Sequence, residues 1–174
     1  MIRIRSATAE DAAALARIYV ETWRDTYAGI LPDAMLLGMS DVRHAAAWCH
    51  ELAADGDAGS TLVAEDQRRG LVGLATVGSA RQSSRAFVDG GEIYRLYVEP
   101  ASQGQGFGKA LLAASLDWLA RRGHDAAIVW VVARNPSRFF YEAQGGKRLG
   151  TRTEKLGATP VDEVAYGWFG PKGP

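Results

Sequence analysis

The sequence predicts a mixed α/β fold, an α+β arrangement with a central sheet of about seven strands flanked by helices. Three observations carry that reading. Along the 174 residues the order is strand, helices, strands, helix, strand, helix, strands. Residues Glu92–Val132 read as strand, Gly-rich turn, helix, strand, a βαβ unit whose crossover is expected to be right-handed. Within that unit Ala126–Val132 is a continuous apolar run, which suits a strand covered on both faces.

Each element has its own signal. Ile2 and Ile4 alternate with Arg3 and Arg5, as in a half-buried strand. Thr8-Ala9-Glu10-Asp11 is a capping box, and the helix it opens carries Leu15, Ile18, Tyr19, Thr22 and Trp23 at helical spacing. Pro32 breaks the chain near Gly29–Asp33, and a second helical region covers Asp41 to Leu52. Asp55-Gly56-Asp57-Ala58-Gly59 reads as a turn. Thr61–Glu65 and Leu71–Val77 are strands joined by the charged turn Asp66–Gly70. Gly78–Gly91 is polar and longer than most hairpin loops, a length at which loops often serve as lids. Glu92–Val98 is rich in aromatic and β-branched residues, as strands are. From Phe107, the residues Leu111, Leu112, Leu116, Trp118 and Leu119 mark a long helix that stops before Gly123. A short helix over Pro136–Ala143 ends at Gly145-Gly146, and Arg148–Thr151 and Val164–Phe169 are the last strands.

Composition narrows the function. Twenty basic side chains balance twenty acidic ones, so no general field draws the chain to nucleic acid or to an acidic membrane. The single cysteine, Cys49, rules out an internal disulfide and a cysteine-based zinc cage, and it is expected to be a buried structural thiol. His44, His50 and His124 are too scattered for a metal motif, so no metal is expected. No apolar stretch reaches membrane-spanning length, and Met1-Ile-Arg-Ile-Arg-Ser has no apolar core behind its charges. A cytoplasmic protein is expected, with one domain over 1–169 and a flexible tail over 170–174.

The chemically informative segment is Val98-Glu-Pro-Ala-Ser-Gln-Gly-Gln-Gly-Phe-Gly-Lys109. Gly104, Gly106 and Gly108 alternate where a strand turns into a helix. The first amides of a helix lack carbonyl partners and sit at the positive end of its dipole. Without side chains at the glycines, a phosphate can come close to them. No carboxylate lies between Pro100 and Leu116, and Lys109 adds a positive charge. The Walker pattern fails twice, since Gln103 stands where its first glycine should be and Ala110 follows Lys109. The Rossmann pattern is one residue short, and Asn135 rather than an acid follows the next strand.

What fits is Gln103-x-x-Gly106-x-Gly108, after Leu96-Tyr97-Val98 and before an amphipathic helix. This resembles the GNAT superfamily of acyl-CoA-dependent N-acyltransferases. Downstream, Asn135-Pro136-Ser137-Arg138-Phe139-Phe140-Tyr141-Glu142 with Gly145-Gly146 is similar to that family's Asn-x-x-x-x-Phe-Tyr-Glu…Gly segment. Upstream, Ile4-Arg5-x-Ala7-Thr8-x-Glu10-Asp11 and Trp23-Arg24-x-Thr26-Tyr27 resemble a common opening of bacterial members. Two positions depart from the pattern: Gln103 where the family often has arginine, and Gly146-Lys147 where it usually has Gly-Phe.

The resemblance implies a single GNAT-like domain with a mostly antiparallel, twisted sheet, and an acetyl-CoA-dependent N-acetyltransferase working by direct transfer in a ternary complex. It implies that Gln103, Gly104, Gln105, Gly106, Phe107, Gly108 and Lys109 take the pyrophosphate of acetyl-CoA. The backbone of Leu96, Tyr97 and Val98 would pair with the pantetheine arm, and Asn135 would touch it. Tyr141 matches the family's tyrosine that protonates the leaving thiolate. Glu92, at the start of its strand and sharing a face with Tyr94, Leu96 and Val98, is the favoured base, acting through water. Its rival Glu99 is expected to be solvated beside Pro100. Trp23 and Tyr27, four apart on a helix, are weaker substrate candidates beside Glu21 and Asp25. The acceptor stays open between a small-molecule amine and a protein or peptide amine. So does a homodimer, and so does a different class altogether, a non-catalytic acyl-CoA-binding sensor.

Overall fold

The structure is a computed structural model that describes residues 2–54 and 59–170. Residues 55–58 of the turn expected at Asp55–Gly59 and the last four residues of the expected tail lie outside these. Seven strands form one sheet in the order β1-β2-β3-β4-β5-β7-β6. They are β1 (Ile2–Ser6), β2 (Gly59–Asp66), β3 (Gly70–Ser79), β4 (Gly91–Val98), β5 (Ala126–Val132), β6 (Lys147–Leu156) and β7 (Thr159–Phe169). The helices are α1 (Ala12–Thr26), α2 (Asp33–Leu37), α3 (Asp41–Ala53), α4 (Phe107–Arg121) and α5 (Arg138–Ala143). Strands β4 and β5, joined through α4, are parallel, as the βαβ reading requires. The β1–β2, β5–β7 and β6–β7 pairs are antiparallel.

By contacts the chain falls into two compact units. The first runs to Val77 and takes in Arg95–Ser115, and the second comprises Gly78–Tyr94 and the chain from Leu116 on. In the first unit α1 and α3 bury their apolar stripes on the sheet. Leu15, Ile18, Trp48, Val63 and Leu74 are all within its core, and full burial of such a side chain contributes about 1.5–3 kcal/mol. The capping box holds: the Asp11 carboxylate accepts the Thr8 N–H at 2.7 Å and takes the Arg5 guanidinium on both oxygens, at 2.7 and 2.9 Å. That guanidinium keeps the Asp11 carboxyl below its ordinary range.

Three expectations about single elements need correction. The break at Pro32 continues into the one-turn helix α2, because proline is tolerated at a helix start. Cys49 is exposed: α3 turns Trp48 inward, and the next residue points to solvent. The last two strands are longer than expected and form one hairpin closed at Leu156↔Thr159 around Gly157-Ala158. Its polar outer residues had concealed them, since β6 is an edge strand with mostly solvated side chains.

In the second unit Ala80, Val88, Ile128 and Ala165 form a core, with Phe87 and Trp130 packed on it. The Gly78–Gly91 segment, of a length at which loops often serve as lids, is packed down onto this core. Val88 is buried, and Ser84 is inaccessible to solvent.

Candidate active site

In the first unit the Gly-rich turn is set by the sheet beneath it. Leu111 of α4 lies over Gly73 of β3, where an added Cβ would sit 3.0 Å from Leu111 Cδ1 and from the Tyr97 carbonyl. The chain leaves β4 at Val98, and Glu99 N–H still donates to the Val72 carbonyl at 2.9 Å. A 3-10 turn over Pro100–Ser102 then leads into Gln103. Gly104 and Gly106 have φ of 72° and 90°, a region that side chains disfavour. A Cβ on Gly104 would meet nothing within 4 Å, and on Gly106 only Ile2 Cδ1 at 3.6 Å. The space above the turn is therefore open.

The α4 ladder starts with Ala110 N–H donating to the Gly106 carbonyl at 3.0 Å. Among the described residues, the amides from Gly104 to Lys109 have no backbone acceptor. Phe107 is buried beneath them, and Lys109 is exposed. Unaccepted N–H groups at a helix start, with open space at Gly104 and Gly106 and no carboxylate in the segment, can hold a doubly charged phosphate ester.

Gln103 is placed differently from the expectation that its amide serves the phosphate. Its Nε2 donates to the Val98 carbonyl at 3.0 Å, bracing the turn against the strand it leaves. Arg69, from the turn after β2, joins that bracing by donating to the Ala101 carbonyl at 2.8 Å and to Ser102 Oγ at 3.1 Å. No sequence spacing singled out Arg69, because its role depends on β2 and β3 bringing their turn to this edge. Glu99 is also corrected. It is buried, with its carboxylate on Arg17 at 2.8 Å and on Ser102 Oγ at 2.8 Å, so it is structural and not solvated.

In β4, Leu96 and Tyr97 are half-buried and Val98 is buried. The parallel pairing with β5 covers Gly91↔Ala127 to Ile93↔Val129. The Tyr97 ring meets Tyr19 edge-on at 5.5 Å, and Tyr19 continues a ladder to Trp23 (5.3 Å), which meets Tyr27 at 4.8 Å. Burial pushes the Tyr19 phenol well above its ordinary range. Trp23 is half-buried and Tyr27 buried, while Glu21 and Asp25 are solvated. The indole N–H of Trp23 is buried without an acceptor among the described residues.

The second unit holds Asn135, Tyr141 and Glu92. Asn135 is buried, and its Oδ1 accepts the Ser137 N–H at 2.8 Å, an Asx turn that opens α5. Tyr141 is 5% exposed, against Phe140 at 5.2 Å, Trp168 at 6.1 Å and Tyr166 at 6.2 Å. Gly145 (φ 81°) and Gly146 end α5 by returning their N–H groups to Glu142 and Tyr141. A Cβ on Gly146 would strike Trp168 and the Tyr141 carbonyl, each at 2.9 Å. That explains this glycine in the Gly-Lys pair.

Glu92 departs most from expectation. Its carboxylate is wholly buried. It accepts the Arg81 N–H at 2.9 Å, Arg81 Nε at 2.8 Å and the Ser84 hydroxyl at 2.8 Å, and it is ion-paired with the Arg81 Nη2. As seen, both of its oxygens are occupied. No spacing in the sequence pairs Arg81 or Ser84 with Glu92, because only the folding of their loop onto β4 brings them there. Groups of three or more potential metal ligands are absent among the described residues, and no helix is long and apolar enough to cross a membrane.

The seven-stranded sheet, with its central βαβ unit and the open Gly-rich turn at the start of α4, has the architecture of a known class of enzyme. The profile of the Acetyltransferase (GNAT) family matches residues 12–146, and the chain belongs to that family. It is 30% identical over 168 residues to the uncharacterized N-acetyltransferase YuaI of Bacillus subtilis, which covers 97% of this chain and 93% of that protein. Among solved structures it resembles the PaiA N-acetyltransferase of Thermoplasma acidophilum in complex with coenzyme A (TM-score 0.66, 20% identity, 94% and 98% covered). It also resembles the acetyltransferase YncA of Salmonella typhimurium with its cofactor acetyl-CoA (TM-score 0.68, 22% identity, 97% and 94% covered). These matches identify an acyltransferase of the GNAT type and do not favour a non-catalytic sensor.

Proposed function

We infer that this protein moves an acetyl group from acetyl-CoA to a primary amine by direct transfer within one ternary complex. Residues 1–169 act as the catalytic domain. The observation that carries the reading is the run of unaccepted amides from Gly104 to Lys109 at the start of α4, opening into free space. Such a run binds a pyrophosphate through main-chain N–H groups. Relatives solved with coenzyme A and acetyl-CoA support the same ligand.

Bound there, acetyl-CoA supplies a thioester whose acyl carbon accepts the amine nitrogen as its C–S bond breaks. Gly104, Gln105, Gly106, Phe107, Gly108 and Lys109 hold the pyrophosphate, and Gln103 keeps the turn in shape. Main-chain groups of Leu96, Tyr97 and Val98 align the pantetheine arm, and an N–H there draws charge onto the thioester oxygen. Asn135 orients α5 and borders the same arm. An alkylamine, with a pKa near ~10.4, must lose a proton before it attacks. Glu92 takes that proton through water, which requires the Arg81 side chain to leave its carboxylate. Tyr141 gives its phenolic proton to the departing sulfur and regains one as the nitrogen loses its second. Trp23 and Tyr27 border the acceptor, a small-molecule or peptide amine.

Calorimetry with acetyl-CoA and desulfo-CoA tests the cofactor, with Gly106→Glu alongside and its fold checked by circular dichroism. Binding by the wild type that the folded variant loses supports the assignment. No binding by the wild type sinks it. An amine panel scored by thiol release then tests the transfer.

A further inference from the structure

The two oxygens of Glu92 are held in different ways. Oε2 is anchored by the fold, through the Arg81 main-chain N–H and the Ser84 hydroxyl. Among the described residues, Oε1 is held by the Arg81 guanidinium alone, through Nε and Nη2. The Glu92 side chain is 0% exposed, whereas that of Arg81 is 54% exposed. The guanidinium therefore closes the carboxylate from the solvent side. It also lies 5.2 Å from the centroid of the Tyr94 ring, whose hydroxyl donates to the Ser79 carbonyl at 2.6 Å and so fixes the ring. Another acid of this unit, Glu163, is engaged by Arg152 at 2.8 Å.

A buried carboxylate beside a fixed aromatic face is a cation site by its chemistry. Removing the cation leaves a buried charge unpaired and is strongly unfavourable, whereas exchanging one cation for another preserves the pair. Release of the guanidinium would not undo the loop, because the Oε2 contacts come from the main chain and from Ser84.

We propose that Glu92 Oε1 and the Tyr94 ring form a cation-binding site that Arg81 fills from within the chain, and that the alkylammonium of the acceptor takes this site by displacing the Arg81 side chain. The assignment to the acceptor rests on the acyltransferase reading, while the cation site stands without it. The site selects acceptors that are cationic in solution, since a neutral aromatic amine brings no charge to replace the guanidinium. Arg81 is thereby a specificity-determining residue that holds the carboxylate shut until a cationic acceptor arrives.

The experiment measures the thermal midpoint of Arg81→Ala in 100 mM methylguanidinium chloride, ethylammonium chloride or sodium chloride. The variant is expected to lose on the order of 10 °C relative to wild type. Either organic cation, but not sodium, is expected to restore at least half of that loss, and to shift a Glu92→Gln/Arg81→Ala double variant no more than sodium does. Equal midpoints of Arg81→Ala in all three salts overturn the proposal. If Arg81→Ala does not fold, the wild type carries the test through the ¹⁵N signal of Arg81 Nε–H, assigned by its absence in Arg81→Lys. Titration with ethylammonium shifts or removes that signal if the guanidinium is displaced, and a signal unmoved relative to sodium chloride overturns the proposal. None of these readings uses acetyl-CoA. Cation rescue without cofactor binding would leave the site standing while removing the acyltransferase reading. Cofactor binding without cation rescue would do the reverse.

Discussion

Trp130 of β5 donates its indole N–H to the hydroxyl of Ser84 at 2.9 Å, and that same hydroxyl donates to Glu92 at 2.8 Å. One buried hydroxyl thus ties the β3–β4 loop to two strands. Around it Phe87 meets the Trp130 ring edge-on at 5.2 Å, and the Arg152 guanidinium lies over that ring, 4.0 Å from its centroid. Replacing Ser84 with Ala leaves the Trp130 N–H without its acceptor and Glu92 short of a donor. The expected cost is about 2–4 kcal/mol in total, read as a lower midpoint in urea unfolding. Ser84→Thr, which keeps the hydroxyl, should recover part of it.

Tyr141 tests the acid. Tyr141→Phe keeps the ring among Phe140, Tyr166 and Trp168 and removes only the hydroxyl. The transfer rate should fall by about 10²-fold or more, with acetyl-CoA affinity by calorimetry close to wild type. A rate within twofold of wild type would remove Tyr141 from the mechanism.

Gln103 offers a contrast. Its side chain holds the Val98 carbonyl and not the ligand, so Gln103→Ala loosens the turn. One neutral hydrogen bond is worth about 1 kcal/mol, so acetyl-CoA binding should weaken about fivefold. The turnover at saturating acetyl-CoA should stay the same, which separates bracing from chemistry.

Acid should weaken the β1–α1 junction. The Asp11 carboxyl is lowered by its hydrogen bonds from Arg5, so the folded pKa lies below the unfolded one, near ~3.9. Its contribution is fully present above the unfolded value and is lost as pH falls through the folded one. Asp11→Asn should therefore destabilise the protein at pH 7 by about 1–2 kcal/mol. The gap between variant and wild type should narrow in unfolding experiments taken from pH 5 down to pH 3. A gap independent of pH would contradict this.

Cys49 gives a simple check on the α3 face. The chain has one cysteine, and it is exposed. Native protein should react with a thiol reagent to one equivalent at the rate seen in denaturant. A thiol that reacts only after unfolding would place α3 the other way round.

The sequence by itself determined the local features of this protein. The alternation in β1, the capping box before α1, the apolar run of β5 and the Gly104–Gly106 turn are each written in neighbouring residues, since propensity, capping and positive φ are short-range effects. The βαβ order and the Gly-rich turn were enough to point to an anion cradle before any coordinates. Tertiary structure alone decided which side chains meet. Arg81 and Ser84 on Glu92, Arg69 on the turn, Arg17 on Glu99 and Phe87 over Gly150 join residues that have no pattern in common along the chain. A carboxylate at a strand start reads the same whether it faces water or an arginine. What separates a free base from a closed cation site is burial and the direction of a guanidinium, and these exist only once the β3–β4 loop has packed onto the sheet.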